Sequence, residues 1–469
     1  MNQKTQLLKN TAIIALGKLG TQIVSFLLLS LYTSKLTTSE YGMYEFLVTL
    51  STFLLPIITL LIEESMFRFL IDAEDKKDKE KIITATIFYM IFGTVIFTII
   101  ASIFTVITHY NYGVLFIFFV ISNILIALSN CLSRGLGQIK VYSISNFILG
   151  ILTIILNILF IVTFKMQADG LLLANTIANT LTAFIVLYIL KFGRFISTEN
   201  FSKSKLKEMI IYSIPLVPNN LSWIIISLSD RLMLTWMVGS DDNGIYSVAN
   251  RFPNIIYTCY GFFSTAWKES AARIVKEESK TGYYNSIYKD LKTFLRAITI
   301  GLIAVMPFVF SLLIINENYN EAYYYIPILA IGIYYTNMSN FYGGIFTAFK
   351  NTRIMGTTTV LGAIINIGIN LIFMALYPQY GILTATLSTL ISTLIVYIYR
   401  RYKLKKYIKI NEKFNVLYWT LLVLTLATYY LNNKAICAIV LVIVVGYCYF
   451  TNRNFLMGIL KKLKRKFRK

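Results

Sequence analysis

The 469 residues carry 57% apolar types and only 14% charged types, at a mean hydropathy of +0.65. A water-soluble chain carries about a quarter charged residues, so this one takes lipid as its solvent. The formal net charge of +22 is dispersed as basic clusters between apolar runs, with no basic domain, which argues against nucleic acid as a partner.

The apolar runs last about twenty residues, the length a helix needs to cross a ~30 Å hydrocarbon core. They lack the alternation of barrel strands. The fold class expected is therefore an all-α integral membrane protein with about fourteen transmembrane helices. The first span falls at 10–33. Lys4 and Lys9 precede it as in a signal peptide, but the run continues past residue 30 without a small-x-small cleavage pattern, so it reads as an uncleaved span. Spans two to six fall at 43–66, 82–107, 114–134, 141–164 and 170–192. A linker at 193–208 leads to spans seven to twelve, at 209–238, 244–267, 293–315, 322–349, 354–377 and 380–400. Two further spans, 414–431 and 435–452, precede a basic tail at 453–469.

Lysine and arginine alternate by side. Of the 44, the outer segments hold Lys35, Lys165 and Lys434, and four lie inside spans: Lys18, Arg231, Arg251 and Arg296. The rest fall in inner segments, which places both ends in the cytoplasm. Outer loops are short, which leaves no external domain for chemistry.

The four cysteines sit in apolar runs without metal-ligand spacing, and His109 is the one histidine. They read as buried small hydrophobes, and no metal, cofactor or histidine-based catalytic site is expected. No nucleotide-binding motif occurs in the inner loops.

Tyr41-Gly42-Met43-Tyr44 returns about 200 residues later as Asn243-Gly244-Ile245-Tyr246. Asn157-Ile158-Leu159-Phe160, with Gly170 and Ala174 beyond it, returns as Asn370-Leu371-Ile372-Phe373 with Gly381 and Ala385. These echoes suggest two six-span lobes, 1–192 and 209–403, followed by extra spans within 404–452. Six is even, so the lobes enter from the same side, related by a parallel pseudo-twofold along the membrane normal.

Ionisable groups deep in a span are costly and tend to face a cavity. Lys18 lies roughly 12 Å into span one, and Arg251 roughly 10 Å into span eight from the outside. Arg231 is similarly deep in span seven beside Asp230. Adjacent helical residues do not face each other, so one of the two pairs with another helix. Snorkelling of a long stem is the competing reading for each, and the one favoured for Arg296. Glu45, Glu63 and Glu64 lie one turn from the membrane faces. A cavity with fixed positive charge favours an anion, phosphate above all where arginine is present. Pro215 and Pro218 in span seven and Pro253 in span eight stand beside these charges as candidate hinges, with ordinary kinking as the alternative.

The segments Lys9-Asn10-Thr11 and Thr38-Ser39-Glu40-Tyr41-Gly42, then Ser213-Ile214-Pro215-Leu216-Val217-Pro218-Asn219-Asn220, Ser229-Asp230-Arg231-Leu232-Met233-Leu234 and Asn243-Gly244-Ile245-Tyr246, come in an order that resembles Wzx-type polysaccharide repeat-unit flippases. These belong to the multidrug/oligosaccharidyl-lipid/polysaccharide (MOP) exporter superfamily. The resemblance covers roughly residues 5–400. It implies two six-helix lobes around a cationic cavity, in the cytoplasmic membrane of a bacterium. It implies alternating-access transport of undecaprenyl-pyrophosphate-linked oligosaccharide, with Lys18, Arg251 and Arg231 on the pyrophosphate and Asp230 as a supporting ion-pair partner. Polysaccharide polymerase machinery is a further candidate partner, and the basic tail suits anionic membrane lipids. A multidrug or cation antiporter of the same superfamily is the first alternative, disfavoured by the deep cations. A membrane polysaccharide polymerase is the second.

Overall fold

A computed structural model describes residues 28–196, 201–274, 277–278, 280–349, 351, 353–410 and 415–467. The described residues form helices and no strand, as backbone buried in hydrocarbon must bond within its own segment. Nine of these helices are long and apolar enough to cross a membrane. The protein is an all-α, multi-pass membrane protein. Most of the expected first span, 10–33, lies outside the described residues, and Lys18 with it.

The chain divides into two compact units, Met1–Arg231 and Leu232–Lys469. In the first, a helical stretch at 28–35 leads to α1 (Thr38–Thr59). The start of α1 is a reciprocal cap: Glu40 N–H donates to the Thr37 hydroxyl at 3.2 Å, and Thr37 N–H to the Glu40 carboxylate at 2.9 Å. Expected span two, 43–66, is broken: Leu60 and Leu61 both adopt left-handed backbone, at φ 47° and 53°, before α2 (Ile62–Asp72) begins. Then come α3 (Lys76–Thr108), α4 (Gly113–Gly135), α5 (Ile139–Asn157), α6 (Gln167–Ile189), α7 (Lys203–Ser213) and α8 (Leu216–Met233). Helix α6 packs against α4 and α5, and α7 against α2 and α3. The Ser65 hydroxyl fixes α7 by donating to the Met209 carbonyl at 3.1 Å. Only 6% of the apolar window of α3 is buried; Val106 and Ile107 are among its exposed residues, a surface for lipid.

The second unit holds α9 (Ser240–Arg251), α10 (Asn254–Ile274), α11 (Lys280–Leu313), α12 (Ala322–Ala348), α13 (Arg353–Leu376), α14 (Gly381–Leu404), α15 (Val416–Leu431) and α16 (Lys434–Phe467). Its centre is α12, packed on α14, α10, α11 and α9. Helices α15 and α16, at the places of the two spans expected beyond the repeated twelve, pack on α11. Tyrosines dock α15 to α12. Tyr429 donates to the Tyr323 carbonyl at 2.6 Å, Tyr323 to the Tyr429 carbonyl at 3.3 Å, and their rings stack at 4.2 Å. Lipid gives helices no hydrophobic reason to associate, so such polar and stacking contacts hold them together.

Two helices end in wider turns. Phe164 N–H bonds the Leu159 carbonyl at 3.0 Å, closing a π-turn over Ile158–Thr163 at the end of α5. Gly239 N–H bonds the Leu234 carbonyl at 2.8 Å, closing another over Leu234–Val238 after α8.

Candidate functional site

The expected site residues fall in both units. In the first, Arg231 stands in the last turn of α8, where the helix dipole favours a cation. Its Nη1 donates to the Glu45 carboxylate of α1 at 2.6 Å and to the Glu45 carbonyl at 3.1 Å. The second carboxylate oxygen accepts from the Tyr41 hydroxyl at 3.0 Å. The pair is nearly sealed, with the side chains 9% and 5% exposed. Arg231 Nε is buried and makes no hydrogen bond. Asp230 beside it is buried as well. The carboxylate that meets Arg231 thus comes from another helix, and Glu45 lies in the interior.

Arg251 is the last residue of α9 and is half-buried. Phe252 and Pro253 interrupt the helix directly after it, and α10 starts at Asn254. In span seven, Ile214 and Pro215 form a turn between α7 and α8. Pro218 falls in the first turn of α8, where a missing N–H costs little. The three prolines therefore mark a break, a helix start and a second break. Arg231 closes the first unit, Arg251 belongs to the second, and Lys18 lies outside the described residues.

Several buried polar groups escape a reading by hydropathy. Arg400, near the C-terminal end of α14, is fully buried. Its Nε donates to the Thr358 hydroxyl at 2.8 Å and its Nη2 to the Thr359 hydroxyl at 2.9 Å. Nη1 donates to the Ser339 carbonyl and Nη2 also to the Met355 carbonyl, both at 3.2 Å. One guanidinium thereby joins α12, α13 and α14. Next to Arg401, it reads in sequence as part of an inner basic cluster. The run Thr357-Thr358-Thr359 is the signal that could have exposed it.

The amide of Asn123 on α4 donates to Ser51 of α1 at 3.0 Å and accepts from Asn179 of α6 at 3.0 Å. In the second unit, the amide of Asn366 on α13 donates to Ser388 of α14 at 3.1 Å. In the last turn of α4, Arg134 meets Glu64 of α2 at 3.2 Å and lies 4.6 Å over Phe67.

Both glycines of the second echo sit in close approaches. A Cβ on Gly170 would lie 3.0 Å from Met166 Cβ, and one on Gly381 would lie 2.7 Å from Val238. Their partners Asn157 and Asn370 are fully buried.

Among the described residues, no cluster of three His, Cys, Asp or Glu side chains could hold a metal ion. What the arrangement offers is fixed cations and polar amides set inside an apolar fold, which suits binding and release of a charged group.

Comparison with solved structures gives the fold independently. The lipid II flippase MurJ in an inward closed conformation matches at a TM-score of 0.69 and 14% identity, over 95% of this chain and 99% of that one. An inward-facing multidrug resistance MATE family transporter of the MOP superfamily matches at 0.65 and 16% identity, over 82% and 95%. An outward-facing multidrug resistance MATE family transporter matches at 0.56 and 15% identity, over 85% and 95%. No curated protein sequence matches. The sequence family described as polysaccharide biosynthesis protein matches residues 7–267, more than half of the chain. The chain therefore belongs to the polysaccharide biosynthesis protein family.

Proposed function

We propose that this protein moves undecaprenyl-pyrophosphate-linked oligosaccharide repeat units across the bacterial cytoplasmic membrane by alternating access, for capsule, exopolysaccharide or O-antigen-type polysaccharide. The family match over residues 7–267 carries this reading, and it spans Lys18, Arg231 and Arg251. The fold shared with a lipid II flippase supports a lipid-linked cargo.

In this reading, Lys18 and Arg251 bind the pyrophosphate, lysine as a movable point charge and arginine as a planar fork. Arg231 is auxiliary, held by Glu45 at 2.6 Å. The interruptions at Pro215 and Pro253 are where helices flex, and Pro218 restarts α8 beyond the first. The glycan passes with the headgroup while the polyprenyl tail stays in lipid. The protein catalyses no bond making or breaking, keeps both ends in the cytoplasm, and hands its cargo to polysaccharide polymerase machinery. Its basic tail rests on anionic lipids.

The test is complementation of a strain that lacks this gene. Wild type restores surface polysaccharide. Arg251→Ala does not at equal membrane abundance, and Arg251→Lys restores it only in part, because the fork is lost. Full export by a Lys18→Ala, Arg251→Ala double variant would discard the site. Efflux of cationic dyes with no effect on glycan export would favour the antiporter reading, which the MATE-like fold keeps in view.

A further inference from the structure

A cleft of about 760 Å³ opens in the second unit between the start of α11 and the start of α15. Lys289, Lys292 and Arg296 line it together with Asn285, Thr293 and Asn415, and no carboxylate lines it among the described residues. The three cations are spaced by three and four residues, so they share one face of α11.

Like charges on one helix face repel, and burying them adds a desolvation cost. Lys292 and Arg296 are nonetheless each only 7% exposed. Aromatic rings hold them: Arg296 lies 4.3 Å over Tyr418 and 5.9 Å from Trp419, and the Lys292 ammonium lies 5.5 Å from the Tyr288 ring. Arg296 Nε is buried without a hydrogen-bond partner. A lined space that carries three cations suits an anion.

The level of the cleft indicates which anion. Directly after Arg296, α11 carries no charged residue from Ala297 to Leu313 and is predominantly apolar, so the cations stand where the hydrocarbon begins. Tyr418 and Trp419 are the aromatic types found at that boundary. Val416 and Leu417, at the start of α15, are 66% and 58% exposed and give acyl chains an apolar track beside the charges.

We propose that this cleft binds the headgroup phosphate of an anionic phospholipid, held as a resident lipid between α11 and α15 and separate from the transported cargo. A zwitterionic headgroup brings its own ammonium into the cluster and is disfavoured.

Native mass spectrometry of the full-length protein tests this, with phosphatidylglycerol and phosphatidylcholine offered in equal amounts. The wild type retains phosphatidylglycerol preferentially. Exposed Lys289 tolerates Lys289→Gln, which weakens retention about fivefold. Lys289→Gln, Lys292→Gln, Arg296→Gln weakens it on the order of a hundredfold, at roughly 1 kcal/mol per charge. Arg296→Lys, which keeps the charge, stays within about fivefold of wild type. Equal retention of the two lipids, or a folded Lys289→Gln protein with wild-type retention, overturns the proposal. Displacement of phosphatidylglycerol by equimolar undecaprenyl pyrophosphate gives the cleft to the cargo instead. Displacement by inorganic pyrophosphate alone gives it to a soluble anion.

Discussion

Arg231 and Glu45 are 186 residues apart in the chain and meet at 2.6 Å, where α8 crosses α1. Each side chain neutralises a charge the other could not bury alone. Removing one partner of such a pair costs about 3–5 kcal/mol, because the survivor is stranded, whereas removing both costs much less. Glu45→Ala should therefore lower the thermal unfolding temperature in detergent more than Glu45→Ala combined with Arg231→Met. A double variant less stable than either single one would show that the pair is not coupled in this way.

Arg400 presents a different case, because the four bonds described above go to neutral oxygens. The Thr358 and Thr359 hydroxyls also donate to carbonyls of their own helix, so they keep a bond when the guanidinium is gone. Arg400→Met should cost only about 1–3 kcal/mol, the value of hydrogen bonds lost from a charged donor without a stranded charge. Arg400→Lys keeps the charge but has no fork to reach α12 and α13 together, so it should be the less stable of the two. Thermal denaturation of both variants gives the order directly.

Gly344 faces Trp267, and a Cβ there would come within 2.5 Å of the indole nitrogen. That nitrogen donates to the Phe341 carbonyl at 3.0 Å while the ring stacks on Phe341 at 4.4 Å. Alanine is worth about 1 kcal/mol over glycine in a helix interior, but overpacking a rigid ring costs about 1–3 kcal/mol. The clash should win. Gly344→Ala is expected to lower stability and shift tryptophan emission to the red as the indole loses its place. Unchanged emission with higher stability would show that the ring can move aside.

Sidedness can be probed inside the first unit. The first turn of α3 carries Lys76, Lys77 and Lys79, whereas the turn after α3 has no lysine or arginine. A cysteine placed at Lys77 should be protected from a membrane-impermeant maleimide in whole cells, and one at Asn111 should be labelled. The reverse pattern would invert the topology.

Helix positions were legible because lipid enforces continuous apolar runs, and α4, α6, α13 and α14 follow them closely. Breaks were less so. Leu60 and Leu61 turn the chain without glycine or proline, and nothing in two leucines announces left-handed backbone. Asn123 weakens the hydropathy of span four, yet α4 runs unbroken because Ser51 and Asn179 satisfy the amide from neighbouring helices. The partner of Arg231 was beyond reach for the same reason. Hydropathy and spacing describe one segment at a time, and Glu45 arrives from another.

The π-turn at the end of α5 bears on how a duplicated chain drifts. Two more residues separate Asn157 from Gly170 than separate Asn370 from Gly381. An extra residue in an α-helix would swing everything after it by about 100°, moving a lipid-facing side chain toward the interior. A π-turn takes in one such residue while its backbone stays bonded, as between Phe164 and Leu159. One half can thus lengthen within the membrane without growing a loop. Counterparts assigned by constant spacing past Asn157 will then name residues on the wrong side of the helix.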